Sequence, residues 1–170
     1  MGHFEKWESY IPFDLTVPSN FLLALLVVYF FVTFRYFVMV GLAYLVWYRT
    51  PFFRQRQIEK QLPSKGQMWT EIKWSLLTST IFAGAGVLIG LLWQLGWTRI
   101  YLRFGEWPLW YLPVSFVLLA LFHEVYFYFT HRLMHHPRLY KSIHHVHHLS
   151  IRPSPWASFS FHPLESVLEA

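Results

Sequence analysis

The chain contains no cysteine. Disulfides, thiolate metal sites and thiol nucleophiles are therefore excluded, and any metal must be held by nitrogen and oxygen donors. Charge is also scarce, at 14% of residues, where an ordinary soluble domain carries about a quarter. With 55% hydrophobic and 21% aromatic residues, this is the composition of a membrane protein. The formal charge of +5 does not point to nucleic acid, because the basic residues lie beside long apolar runs and fit a membrane topology. The N-terminus lacks the basic start and short apolar core of a cleaved signal. Lys6 occupies the sixth position, where myristoylation favours Ser or Thr.

What is present is a series of apolar runs. Residues 1–20 carry Glu5, Glu8 and Asp14 against Lys6 and are expected on the non-cytoplasmic side. Residues 21–107 read as a transmembrane region. Its first run, Phe21 to Tyr48, exceeds the ~20 residues that cross a bilayer. Arg35 is the costly member of that run: it either snorkels from a shifted span or pairs inside the bundle. The segment 49–73 holds Arg49, Arg54, Arg56, Lys60, Lys65 and Lys73 against Glu59 and Glu71, which makes it a basic loop on the cytoplasmic side. A second span is expected over 74–97, with Gly84, Gly86 and Gly90 available for close helix packing.

Residues 108–170 form the third unit. Trp107, Trp110 and Tyr111 mark an interface, and Pro108 and Pro113 suit a helix start. From Pro113 to His136 no residue breaks the helix until Pro137. That run would extend about 36 Å, more than the hydrocarbon thickness of about 30 Å. Its C-terminal end therefore projects, and counting passes puts it on the cytoplasmic side with Arg132, Arg138, Lys141 and Arg152. Pro163 and Glu165 read as the first turn of another helix. The chain then stops at Ala170 in mid-pattern, as a truncated chain would. The expected fold is an all-α integral membrane protein: about three transmembrane helices, the start of a fourth, and a cytoplasmic helical segment rich in histidine.

Seven of the ten histidines fall between His131 and His148. Imidazole is the commonest metal ligand, so this density reads first as a metal site. His131 and His135, four apart on one helix, leave the same face one turn apart. His144, His147 and His148 converge in the same way if their segment is helical. Five facing imidazoles suit two metal ions better than one. Glu124 and His123 lie about two turns deeper on roughly the same side of the third helix. Glu124 is a candidate to orient a ligand imidazole or to ligate directly, and otherwise forms a structural ion pair. His123 suits helix packing, His145 a supporting position beside the ligands, and His162 a fold back towards the cluster. His136 points about 100° away from His135 and is not read as a ligand.

The run HEVYFYFTHRLMHHPRLYKSIHHVHH, followed by RPSPWASFSFHPLE, resembles the sterol desaturase and fatty acid hydroxylase superfamily, membrane enzymes with a histidine-held di-iron centre. The resemblance covers roughly residues 110 to 170. It implies that His131 and His135 are the first ligand box and that His144, His147 and His148 are the second. Glu124 stands where the family commonly has aspartate. The family's third H-x-x-H-H box is absent here and is expected beyond residue 170, so this piece alone would hold an incomplete site.

By the same resemblance, two irons and O2 would hydroxylate or desaturate a membrane lipid. Electrons would come from an external ferredoxin or b-type cytochrome, since no haem, flavin or nicotinamide motif is visible. The enzyme would sit in a bacterial inner membrane or the endoplasmic reticulum, with its active site facing the cytoplasm. The aromatic residues Tyr126, Phe127, Tyr128 and Phe129 would line the substrate route or face lipid. A competing reading is a metal transporter or metal sensor with a cytosolic histidine cluster. Transport favours ligands distributed across spans near the midplane, and residues 21–97 contain no histidine.

Overall fold

In the computed structural model, residues 13–57, 61–98, 100, 105 and 107–170 are described. Glu5, Lys6 and Glu8 of the N-terminal segment, and Glu59 and Lys60 of the basic loop, lie outside the described residues. The chain is all-helical, with no strand among the described residues.

Helix α1 runs Pro18–Tyr44 and continues through a π turn, Leu45–Arg49. Its apolar residues are distributed all round the axis, as in a helix surrounded by lipid. Thr50, held extended by the following proline, ends it. A short helix α2, Pro51–Arg54, follows. Helix α3 spans Lys65–Gln94. It starts nine residues before the apolar run because Ser64 caps it, its side chain accepting the Gln67 N–H at 3.1 Å. Lys65 to Lys73 therefore belong to a helix rather than to a loop. The other end closes where Gly96, at φ 76°, turns the chain left-handed. The Trp97 N–H then reaches the Leu92 carbonyl at 2.9 Å and the Gly96 N–H that of Trp93 at 3.0 Å.

Helix α4 is Tyr111–Met134, and α5 (Pro137–Ile143), α6 (His145–His148), a 3-10 turn (Pro155–Phe159) and α7 (Pro163–Glu169) complete the chain. The α1 helix with its π extension, α3 and α4 are each long and apolar enough to cross a membrane. Arg35 lies on the exposed surface of α1.

Helices α1 and α3 pack antiparallel. At one end Gln94 clasps the start of α1, its amide donating to the Phe13 carbonyl and its oxygen accepting the Leu15 N–H. Leu15, Ala24 and Val87 are buried beside this clasp. Gly90 meets the Leu15 side chain at 3.4 Å from where a Cβ would stand, so the expected close approach is made there, although Gly84 meets nothing within 4 Å.

Towards the other end, the irregular segment 150–162, with its 3-10 turn, lies against both helices. Lipid offers no hydrogen bonds, so irregular backbone at membrane depth must find partners within the protein. Here hydroxyls supply them. Tyr36 and Ser75 both donate to the Trp156 carbonyl, at 2.8 and 3.0 Å. Tyr48 donates to the Pro153 carbonyl and Thr78 to that of Phe161. Gln67 bonds the Arg152 carbonyl as well as Glu71. Glu71, only 1% exposed, also accepts from Ser154. Tyr36 stacks on Phe159, which meets Phe82 edge-on. Helix association in lipid has no hydrophobic driving force, so this hydroxyl seam and the aromatic contacts are what seat the segment.

Helix α4 stands differently. Met134 is its sole buried residue. Its link to α7 is the Tyr126 hydroxyl, which donates to the Leu168 carbonyl at 2.7 Å.

Candidate metal centre

The end of α4 begins the site. His131 and His135 are one turn apart, with their Nε2 atoms 3.3 Å from each other. The helix stops just there because His136 adopts an extended conformation and caps α5, its Nδ1 accepting the Arg138 N–H. Pro137 opens α5 in the position where its missing N–H costs nothing. Helix α5 carries the chain back to His144, which leads into the single turn α6.

This reversal brings the histidine rings together edge-on. The His144 ring centroid lies 4.6 Å from those of His131, His135 and His148, and His148 is 5.1 Å from His135. One ligand atom from each of His131, His135 and His144 falls within 4.8 Å of the other two. His147 sits to one side, 5.4 Å from His144, with its ring stacked on Phe161.

The nitrogen inventory fits a cation. Nε2 of His144 is buried without a hydrogen-bond partner, although buried polar atoms are otherwise nearly always paired. Two nitrogens about 2.1 Å from one ion stand about 3.0–3.4 Å apart, which brackets the His131–His135 separation. Burial first, then the neighbouring imidazoles, pushes His144 down to about 3. The same causes lower His147 and His148. Neutral imidazole, the form that ligates, is thereby favoured. First-row ions such as iron or zinc suit such an all-imidazole set.

Among the described residues, one carboxylate is hydrogen-bonded to the cluster, that of Glu165. Its Oε1 lies 2.7 Å from His144 Nδ1, and both side chains are 0% exposed. Burial, with Glu169 adding to it, raises Glu165 to about 8. The sequence marks Glu165 only as an acid in a first helical turn; the signal that could have found it is the F-H-P-x-E segment as a unit. Glu124 is placed elsewhere. It is 77% exposed on α4 and lies 3.8 Å from the equally open His123, which stacks on Phe127. His145 is exposed and meets Tyr140. His162 caps α7, accepting the Leu164 N–H, and its ring faces Trp74 of α3 rather than the cluster.

Residues 116–170, which hold all of these groups, match the fatty acid hydroxylase family. This segment belongs to the sterol desaturase and fatty acid hydroxylase superfamily. The chain is similar to a Delta(7)-sterol 5(6)-desaturase of Aspergillus fumigatus, with 32% identity over 88% of this chain and 41% of the relative. A probable Delta(7)-sterol 5(6)-desaturase of Neurospora crassa is 30% identical over 85% of this chain and 41% of its own. Human lathosterol oxidase is 32% identical over 62% of this chain and 36% of its own. The chain thus spans about two fifths of the length of these curated superfamily members. No solved structure matches it.

Proposed function

We propose that the whole protein is a membrane-bound, O2-dependent di-iron oxidoreductase that hydroxylates or desaturates a lipid, and that this lipid is a sterol. The observation that carries the proposal is the convergence of the His131, His135 and His144 ligand atoms within 4.8 Å inside a superfamily of lipid oxidoreductases. The relatives named for sterols favour a sterol over a fatty acyl chain.

His131, His135, His144, His147 and His148 would hold the iron. Bound iron supplies the one-electron chemistry that activates O2 and removes hydrogen from an unactivated carbon. The protein's own share is placement and the exclusion of water. Met134, at the end of α4, and His144, within the cluster, are themselves buried from water. The exposed Tyr126, Phe127, Tyr128 and Phe129 give α4 an aromatic flank along which an apolar substrate approaches from the bilayer, and Phe127 brings that flank to 5.4 Å from the His131 ring.

Desaturation takes two hydrogens from the substrate and, with O2, two electrons and two protons from a donor, yields two waters. Hydroxylation leaves one oxygen on the carbon and yields one water. The donor would be a ferredoxin or b-type cytochrome, and the exposed Arg132, Arg138 and Lys141 beside the cluster suit an acidic one. Tyr48 and Gln67, next to the basic stretch, bond the segment after the second box. That supports placing the cluster and the basic residues on one membrane face, the cytoplasmic one.

Purified full-length protein is expected to contain about two irons per chain and to consume O2 only with sterol and reductant present. The mass of the product separates loss of two hydrogens from gain of one oxygen. Metal uptake into vesicles with no oxidised lipid would overturn the proposal in favour of transport.

A further inference from the structure

Resting on the reading of the cluster as a metal centre, we propose that Glu165 is the positioning residue for His144: its carboxylate accepts the hydrogen bond of Nδ1–H and thereby turns the lone pair of Nε2 towards His131 and His135.

A neutral imidazole has one N–H and one lone pair, and the partner of one nitrogen decides the role of the other. Burial raises Glu165, and a cation held at Nε2 would favour its ionised form, which is acceptor-only. At 2.7 Å from Nδ1 it leaves the ring one arrangement, with the proton at Nδ1 and the free pair at Nε2. That Nε2 is buried and has no protein partner, as a ligating atom requires. Among the described residues no other cluster imidazole is hydrogen-bonded to a carboxylate. His144 is also the ring that touches the most others, at 4.6 Å from three of them, so its orientation governs the whole set.

Glu165 can impose this orientation because it is held independently of the ligands. It lies on α7, which His162 caps and Pro163 opens. The next residue, Ser166, pairs with Thr78 of α3 at 2.9 Å, and Leu168 is bonded by Tyr126 of α4. The carboxylate is thus fixed from α3 and α4 while the ring it orients sits between α5 and α6. In sequence terms, the F-H-P-x-E segment is part of the ligand apparatus although it contributes no ligand.

The test compares full-length wild-type protein with Glu165→Gln and Glu165→Leu, each stripped of metal and titrated with cobalt(II). Binding is followed by the visible ligand-field bands, and folding by helix content and thermal unfolding. Loss of an orienting partner typically weakens metal affinity by about 10–100-fold. Glu165→Leu is expected to show that loss. Glu165→Gln, which keeps an oxygen acceptor without the charge, is expected to fall between Leu and wild type. A folded Leu or Gln variant that binds cobalt with wild-type affinity and an unchanged spectrum overturns the proposal. Should the Leu variant fail to fold, the Gln variant decides alone: several-fold weaker binding with altered bands supports the role, and unchanged binding overturns it. A wild-type protein that takes up no cobalt overturns the metal-centre reading together with this one.

Discussion

His144 is the residue on which the site turns, since its two nitrogens face opposite ways, one to Glu165 and one into the ring cluster. Replacing it with alanine is expected to reduce iron in the purified full-length protein to background, while His145→Gln, altering a ring that faces Tyr140, leaves the iron content unchanged. Metal analysis of the two variants side by side checks both. The ligand spacing was legible in the sequence because i, i+4 geometry is a local property of one helix. The Glu165 partnership was not, because it joins residues 21 apart in sequence across a turn, an extended segment and another turn. Glu124 stands on the same helix as the first box, but its side chain is open and beside His123, whereas the carboxylate bonded to a cluster ring is that of Glu165.

The elements are joined by a seam in which one carbonyl serves as a shared acceptor. Trp156 accepts from both Tyr36 and Ser75, so either donor alone still satisfies it. Tyr36→Phe and Ser75→Ala are each expected to cost little, about 0.5–1.5 kcal/mol. Together they are expected to cost more than their sum, because the carbonyl is then left unpaired at membrane depth. A double-mutant cycle of unfolding in detergent measures this, and strict additivity would contradict the shared-acceptor reading. Hydropathy predicted the three long helices but placed the start of α3 too late, because Lys65, Gln67 and Glu71 look like loop residues until Ser64 is recognised as a cap and Glu71 as a buried acceptor. The absence of a tight partner for α4 among the described residues has no signature in its sequence, which, although less apolar than that of α1, is still long and apolar enough to cross a membrane.

For the whole molecule, the lack of cysteine offers a direct test of topology. Single cysteines at Arg54 and Lys141 are expected to react with a membrane-impermeant maleimide from the same side, and a cysteine at Trp97, beyond the far end of α3, from the opposite side. Labelling of Arg54→Cys and Lys141→Cys from different sides would separate the basic stretch from the histidine segment. The fold was legible as far as the three long helices, and the candidate site as far as the histidine spacing that brings His131, His135 and His144 together. What the sequence could not show is that α1 and α3 form one packed body while α4 leans on α7, which packs against α3.

That leaning gives the cluster a mechanical duty. His131 and His135 ride on α4, whereas His144 is anchored through Glu165 to α7 and so to α3. An ion shared between them acts as a rivet across a joint otherwise closed mainly by the Tyr126–Leu168 bond. A metal clip of this kind removes the freedom of the loop it closes and stabilises by mass action. Chelation is therefore expected to speed amide exchange in the last turns of α4 and in α5 while leaving the middle of α3 protected. In this protein the reacting centre would also be the bolt that keeps its own walls in register.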